Sequence, residues 1–393
     1  MSTAIIISFC TLLLLAYVFD YTSSKTKIPS VILLLLLGWA VRQLSQLVGI
    51  KIPQLTLLLP ILGTIGLILI VLEGSLELEL NRSKKALVIK SGMVAFIPLL
   101  ALAFLMAFSF HYFSHASLRD SLINAIPFCV ISSAIAIPSV KNLVSSQKEF
   151  IIYESSLSDI FGVLFFNFMA HNSGFQIGSI GMFLLQLILI IIVSFIATVG
   201  LSVLLKKIEH PIKFAPIILL IILIYEVSKV YDLPALIFIL LFGLFLGNLE
   251  EIKRFKWIEK LRPVELSKEV LKFKELIVEA TFLIRALFFL LFGYLMETAE
   301  IINTGSLGWA AGIVAAIFAL RAVQLKISGL PLMPLLFIAP RGLITILLFF
   351  SISPAQSIAL VNRSLIVQVI LLTALVMMYG LLRNNKKIAE VTL

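Results

Sequence analysis

With 61% hydrophobic and only 13% charged residues over 393 positions, and a mean hydropathy of +1.13, the chain cannot form an ordinary water-soluble domain, because such domains carry about a quarter charged residues. The net charge of +10 does not point to nucleic acid, since the bases are dispersed among apolar runs with no basic face interleaved with aromatics. Cys10 and Cys129 lie inside apolar runs without Cys/His spacing, and no nucleophile elbow or phosphate loop suggests an enzyme.

Taken in chain order, apolar runs long enough for a ~30 Å hydrocarbon core predict thirteen spans, at 4–20, 28–47, 53–78, 86–112, 118–140, 150–171, 175–205, 213–229, 233–249, 276–296, 306–325, 327–350 and 364–382. The first lacks a basic region before it and a small-residue cleavage site after it, and so reads as a retained helix rather than a signal peptide. Alternate loops divide the bases unequally. One side holds 22, including Lys25, Lys84, Lys148, Lys206, Lys326 and Arg383, and the other holds five, namely Arg42, Lys51, Arg119, Lys229 and Arg363. Cytoplasmic loops hold the excess, which places the N-terminus outside and the C-terminus inside. The longest hydrophilic connection, Glu250 to Glu275, reads as a cytoplasmic amphipathic segment joining two halves.

The sixth span, FIIYESSLSDIFGVLFFNFM from Phe150 to Met169, carries Glu154 and Asp159 near its middle. An acid at that depth costs roughly 2.5 to 3.5 kcal/mol and marks a functional position. Helical spacing sets Ser155 one turn from Asp159 and Glu154 one turn from Ser158, so oxygen-bearing side chains line one flank.

The fifth and twelfth spans each hold a mid-run proline beside small or polar residues, Pro138 in ISSAIAIPSV and Pro340 in FIAPRGLI. Each proline removes a backbone donor. One alternative is an ordinary kink in each; the other is a pair of broken helices in inverted repeats, spans four to six and eleven to thirteen, of the kind that frames a transporter's binding site. Arg321 and Arg341 sit inside apolar sequence near the second break and are fixed cations suited to partner Glu154. For Arg321 the competing reading is an arginine that snorkels to the membrane surface.

These segments together resemble the monovalent cation:proton antiporter superfamily, in particular its electroneutral sodium/proton branch. YESSLSDIFG (Tyr153 to Gly162) is similar to the family's E-S-x-x-N-D helix, FIAPRGLITILL to its P-R-G-x-x-x-L segment and LRAV (Leu320 to Val323) to its Arg-Pro element. IPSVILLLLLGWAV and GTIGLILIVLEGSLELEL look like its second and third helices. Two departures stand out. Ser158 replaces the asparagine before the key aspartate, and Ala136-Ile137-Pro138 replaces the Thr-Asp-Pro of the first break.

The resemblance implies an all-α polytopic membrane protein with thirteen transmembrane helices and two crossed broken helices. It implies a dimerisation domain from 1–80 and 207–300, a core from 81–172 and 301–393, a linker helix at 173–206, a homodimer, and an elevator motion in the cell's inner or plasma membrane. Asp159 is expected to bind one alkali cation or one proton in turn. Glu154, Ser155, Ser158, Ser133, Ala136 and Glu73 are further candidates for the ion site, with Asp159, Ser155 and Glu154 supplying oxygens to the alkali cation. Arg341 and Arg321 are the expected charge compensation, and Pro138 and Pro340 the expected breaks. Glu73 also reads as an interfacial charge beside Glu77 and Glu79. Sodium is favoured over lithium or potassium, with no cofactor. A sodium-coupled symporter and a non-transporting sensor or channel of the same fold remain the alternatives.

Overall fold

In a computed structural model, which describes residues 2–26, 28–49, 55, 57–78, 84–140, 143–171, 177–207, 210, 212–231, 233–252 and 263–391, the chain is all-α. The helices are α1 (Ser2–Thr26), α2 (Ser30–Leu47), α3 (Leu58–Glu77), α4 (Lys85–Ser114), α5 (Leu118–Ala125), α6 (Ser133–Ser139), α7 (Ser145–His171) and α8 (Ile177–Lys207). They continue with α9 (Phe214–Val230), α10 (Leu236–Gly247), α11 (Leu249–Ile252), α12 (Pro263–Leu295), α13 (Thr298–Ile301), α14 (Thr304–Ile327), α15 (Leu343–Phe350) and α16 (Arg363–Val391). Each of the thirteen expected spans contains helix, and nine segments among the described residues are long and apolar enough to cross a membrane. The expected segment Glu250 to Glu275 falls partly outside the described residues, and from Pro263 onward it is the first part of α12.

Two corrections concern the interruptions. The fifth span breaks at residues 129–132, between a 3₁₀ turn at Ile126–Phe128 and α6, whereas Pro138 lies inside α6. Pro127, in that 3₁₀ turn, stands beside the break, and backbone groups freed at 129–132 find partners elsewhere in the fold. The twelfth span is α-helical only in its second half. Gly329, at φ +61°, with Pro331 and Pro334, ends α14 in a turn, and only a 3₁₀ turn at Leu335–Phe337 precedes the break around Pro340.

The chain forms two compact units. One comprises residues 1–64, 91–162 and 283–393, and the other residues 65–90 and 163–282. In the first, α14 packs on α16, and α2 meets α12 at backbone distance. A Cβ at Gly38 would lie 2.2 Å from the Leu290 carbonyl oxygen, and one at Gly293 would lie 2.3 Å from that of Leu35. Small residues allow such approach where lipid supplies no hydrophobic drive between helices. Between α12 and α16 the Leu295 carbonyl accepts from Arg42 Nη1 at 3.0 Å and from Arg363 Nη2 at 2.6 Å. Arg42 also pairs with Glu297, and Arg363 with Glu300, each at 3.1 Å.

In the second unit α8 packs on α10, and Gly243 and Gly247 of α10 sit against Ser75 and Leu76 of α3. The Asn248 amide donates to the Leu78 carbonyl at 2.8 Å, and Lys213 pairs with Glu269.

Candidate functional site

The carboxylates of α7 open the site. Asp159 is 1% exposed. Its Oδ2 accepts from the Ser133 hydroxyl and, at 3.4 Å, from the Ser133 backbone N–H, both at the start of α6. Its Oδ1 is buried with no hydrogen-bond partner among the described residues. Ser158, one residue earlier, accepts the Ile131 backbone N–H at 2.9 Å, satisfying a donor that the break leaves outside any helix. Ser158 therefore anchors the broken segment through its oxygen.

The two interruptions are bonded to each other. The Ser132 N–H donates to the Pro340 carbonyl at 2.9 Å, and the Ser132 carbonyl accepts the Ala136 N–H at 2.9 Å to begin α6. Gly342 sits at the crossing, where a Cβ would lie 2.6 Å from Ile135 Cδ1 and 2.8 Å from Ser132 Oγ. On the other side Gly162 of α7 lies under Val130, whose Cγ2 would be 2.2 Å from an added Cβ. Two unbranched backbones thus let the broken segment pass between α7 and the second break.

The arginines divide their tasks. Arg321, 5% exposed, forks onto Glu154, Nη1 to Oε1 at 2.7 Å and Nη2 to Oε2 at 2.9 Å, and its Nε donates to the Leu335 carbonyl at 2.7 Å. A snorkelling arginine would not be buried in this way. Arg341 does not meet Glu154, contrary to expectation; its Nε donates to the Phe128 carbonyl at 2.5 Å and its Nη1 to the Ala339 carbonyl at 2.9 Å. The Phe128 oxygen ends the helical run before the first break, where peptide dipoles leave partial negative charge, and the Ala339 oxygen lies in the non-helical stretch beside Pro340. One cation therefore neutralises a carboxylate and the other neutralises backbone ends.

The remaining candidates are placed as follows. Ser155 is fully buried, and its hydroxyl donates to the Ile151 carbonyl of its own helix at 2.7 Å, which leaves the oxygen lone pairs available. Ala136 is fully buried in α6 and can offer backbone only. Both Glu154 oxygens are taken by Arg321. Glu73 is half-buried in the part of α3 that belongs to the other unit, and Glu79 lies outside the described residues.

Sequence reasoning missed Ser132, Thr345 and Thr373. The Thr373 hydroxyl of α16 accepts the Arg341 N–H at 3.1 Å. Ser132 and Thr345 are buried hydroxyls at the two breaks with no partner among the described residues, like Asp159 Oδ1. Ser132 stood in the polar part of the first proline segment and was legible as a candidate; Thr345 carried no signal in an otherwise apolar run. A buried oxygen left without a donor costs roughly 1 to 3 kcal/mol, and a hard cation or a proton is the partner that such oxygens accept.

A search of curated proteins finds no significant match. Among solved structures the fold is similar to that of the sodium proton antiporter MjNhaP1 from Methanocaldococcus jannaschii at pH 8, with TM-score 0.63 and 16% identity over 97% of this chain and 96% of that one. It is likewise similar to an electron-microscopy map of the same antiporter, with TM-score 0.66 and 17% identity over 99% and 97%. At these identities the likeness concerns the fold. A model of the transmembrane sodium/hydrogen exchanger family matches residues 10–382, almost the whole sequence. The chain is therefore a polytopic membrane transporter, not an enzyme, and belongs to the transmembrane sodium/hydrogen exchanger family.

Proposed function

We propose that the protein exchanges one sodium ion for one proton, with Asp159 as the shared carboxylate. The observation that carries this reading is the asymmetry of Asp159: Ser133 holds Oδ2, and Oδ1 is buried with no donor among the described residues. Either a cation or a proton can satisfy that oxygen, and neither can do so while the other is there. Ser155 and backbone oxygens at the break are the further ligands in reach of a hard ion's preference for oxygen. Glu154 belongs to Arg321 and stays out of the exchange. Ser158 adds no second acid beside Asp159 and the arginines are fixed cations, so one carboxylate carries one charge in each direction, which makes the cycle electroneutral.

In this reading the chain is a homodimer in the plasma membrane, N-terminus outside and C-terminus cytoplasmic. Residues 1–80 and 207–300 form the dimerisation domain and 173–206 the linker helix. The core of 81–172 and 301–393 carries the site as an elevator. Lithium or potassium in place of sodium changes the cargo and leaves the chemistry intact.

Proteoliposomes loaded with a pH dye test this. Sodium added outside is expected to drive proton movement without a membrane potential, and the apparent KM for sodium is expected to rise as pH falls, because protons occupy the same oxygen. Asp159→Asn is expected to abolish the signal. Exchange at the wild-type rate in Asp159→Asn removes the assignment. A signal that needs an organic solute indicates a symporter, and uncoupled ion flow indicates a channel.

A further inference from the structure

Away from the ion site, α4 and α14 enclose an open groove of about 450 Å³, within the ~300–1,000 Å³ range of sites for small organic ligands. Leu105, Met106, Ser109 and Phe110 of α4 form one wall, the Ser109 hydroxyl donating to its own helix at Leu105, and Trp309 and Ile313 of α14 form the other. The floor is Gly308 and Gly312, where an added Cβ would meet nothing within 4 Å. Among the described residues no side chain fills that space.

Three observations say what does. Both helices are apolar enough to cross a membrane, and Leu105, Phe108 and Leu307 beside the groove are 49%, 58% and 46% exposed, so the medium there is hydrocarbon. The walls are fixed: the Trp309 ring stands edge-on to Phe110 and Phe113, with centroids 6.0 and 5.1 Å apart. One end is amphipathic. Trp309 lies near the start of α14, and Tyr112 and Phe113 near the end of α4, where aromatic rings mark the membrane–water boundary. The Trp309 indole N–H has no acceptor among the described residues. An apolar trough closed at its interfacial end by a free N–H donor matches an acyl chain attached through an ester.

We propose that this groove is a binding site for one membrane phospholipid, its acyl chain lying over Gly308 and Gly312 and an ester carbonyl accepting from Trp309. The proposal is independent of the ion site, since no residue assigned to ion exchange lines the groove.

The test uses the protein with Trp39→Phe and Trp257→Phe, leaving Trp309 as the single tryptophan, excited at the red edge where tyrosine does not absorb, in nanodiscs of phospholipid with brominated acyl chains. Trp309 is expected to be quenched, and to remain quenched after dilution into a large excess of unbrominated discs while freely exchanging lipid is replaced. Recovery of fluorescence as fast as lipid exchange overturns the proposal. Native mass spectrometry of the wild type is expected to show one retained phospholipid per chain, lost in Gly312→Leu, whose side chain enters open space. Equal retention in a folded Gly312→Leu overturns the site. Disulfide cross-linking of Gly308→Cys between two chains in the membrane also overturns it, by showing a second copy as the occupant.

Discussion

The backbone N–H of Ser132 donates to the carbonyl of Pro340 over 2.9 Å, so the two interrupted segments of the repeat are joined to each other through their backbones. Irregular backbone inside a membrane is tolerated only where its polar groups find partners within the protein. Each break here supplies part of the other's satisfaction, with Ser158 and Arg341 supplying more. The crossing behaves as one structural object, and damage at any contact is expected to reach Asp159.

Gly162→Ala tests the packing of that object. The new methyl would lie 2.2 Å from Val130 Cγ2, and overpacking of this kind costs about 1 to 3 kcal/mol. A lowered melting temperature and loss of exchange are expected. Adding Val130→Ala, which removes the obstructing methyl groups, is expected to restore both. If the double variant melts no higher than Gly162→Ala alone, the contact is not what limits the site.

Glu154 and Arg321 are expected to be more costly to separate than to remove together. Either single neutralisation, Glu154→Gln or Arg321→Gln, strands a buried charge at a cost of about 3 to 5 kcal/mol. The double variant keeps no unpaired ion and should denature closer to the wild type. Thermal unfolding in detergent of the four proteins measures the coupling, and simple additivity would exclude a direct pair.

Ser133→Ala deletes the hydroxyl that holds Asp159 Oδ2. Hydrogen bonds to charged groups contribute about 1.5 to 3 kcal/mol, so the KM for sodium is expected to rise roughly tenfold or more with folding intact. Ser133→Thr, which keeps the donor, should largely recover it. An unchanged KM in both would place Ser133 outside ion binding.

Arg42 and Arg363 converge on one carbonyl, that of Leu295. Neighbours that share a partner do not act independently. Arg42→Gln and Arg363→Gln are each expected to lower the melting temperature by a few degrees, and their combination by an amount different from the sum. Strict additivity would mean the shared acceptor is energetically unimportant.

How far the sequence carried the reading can be judged from single residues. Asp159 and Glu154 were legible because an acid within twenty apolar residues has a large desolvation cost and few explanations. Pro340 marked a true break, since it stood next to Arg341 and Gly342 in an otherwise largely apolar run. Pro138 misplaced its break by several residues. A proline signals where a donor is missing, but the first break sits where Ser158, Pro340 and Arg341 offer replacement bonds, and those come from segments 27 to 213 residues away in sequence.

The sequence by itself determined the class: composition required a membrane, run lengths required helices, and two acids in one span required a function. Only the tertiary structure decided which arginine meets which acid, which oxygen of Asp159 is held, and that Ser132 and Thr345 lie buried at the breaks without partners among the described residues. The physical reason is the range of the forces involved. Hydrophobicity and helix-forming backbone bonds are set locally along the chain, whereas hydrogen bonds such as those from Ile131 to Ser158 at 2.9 Å and from Arg341 to Phe128 at 2.5 Å depend on where distant segments cross.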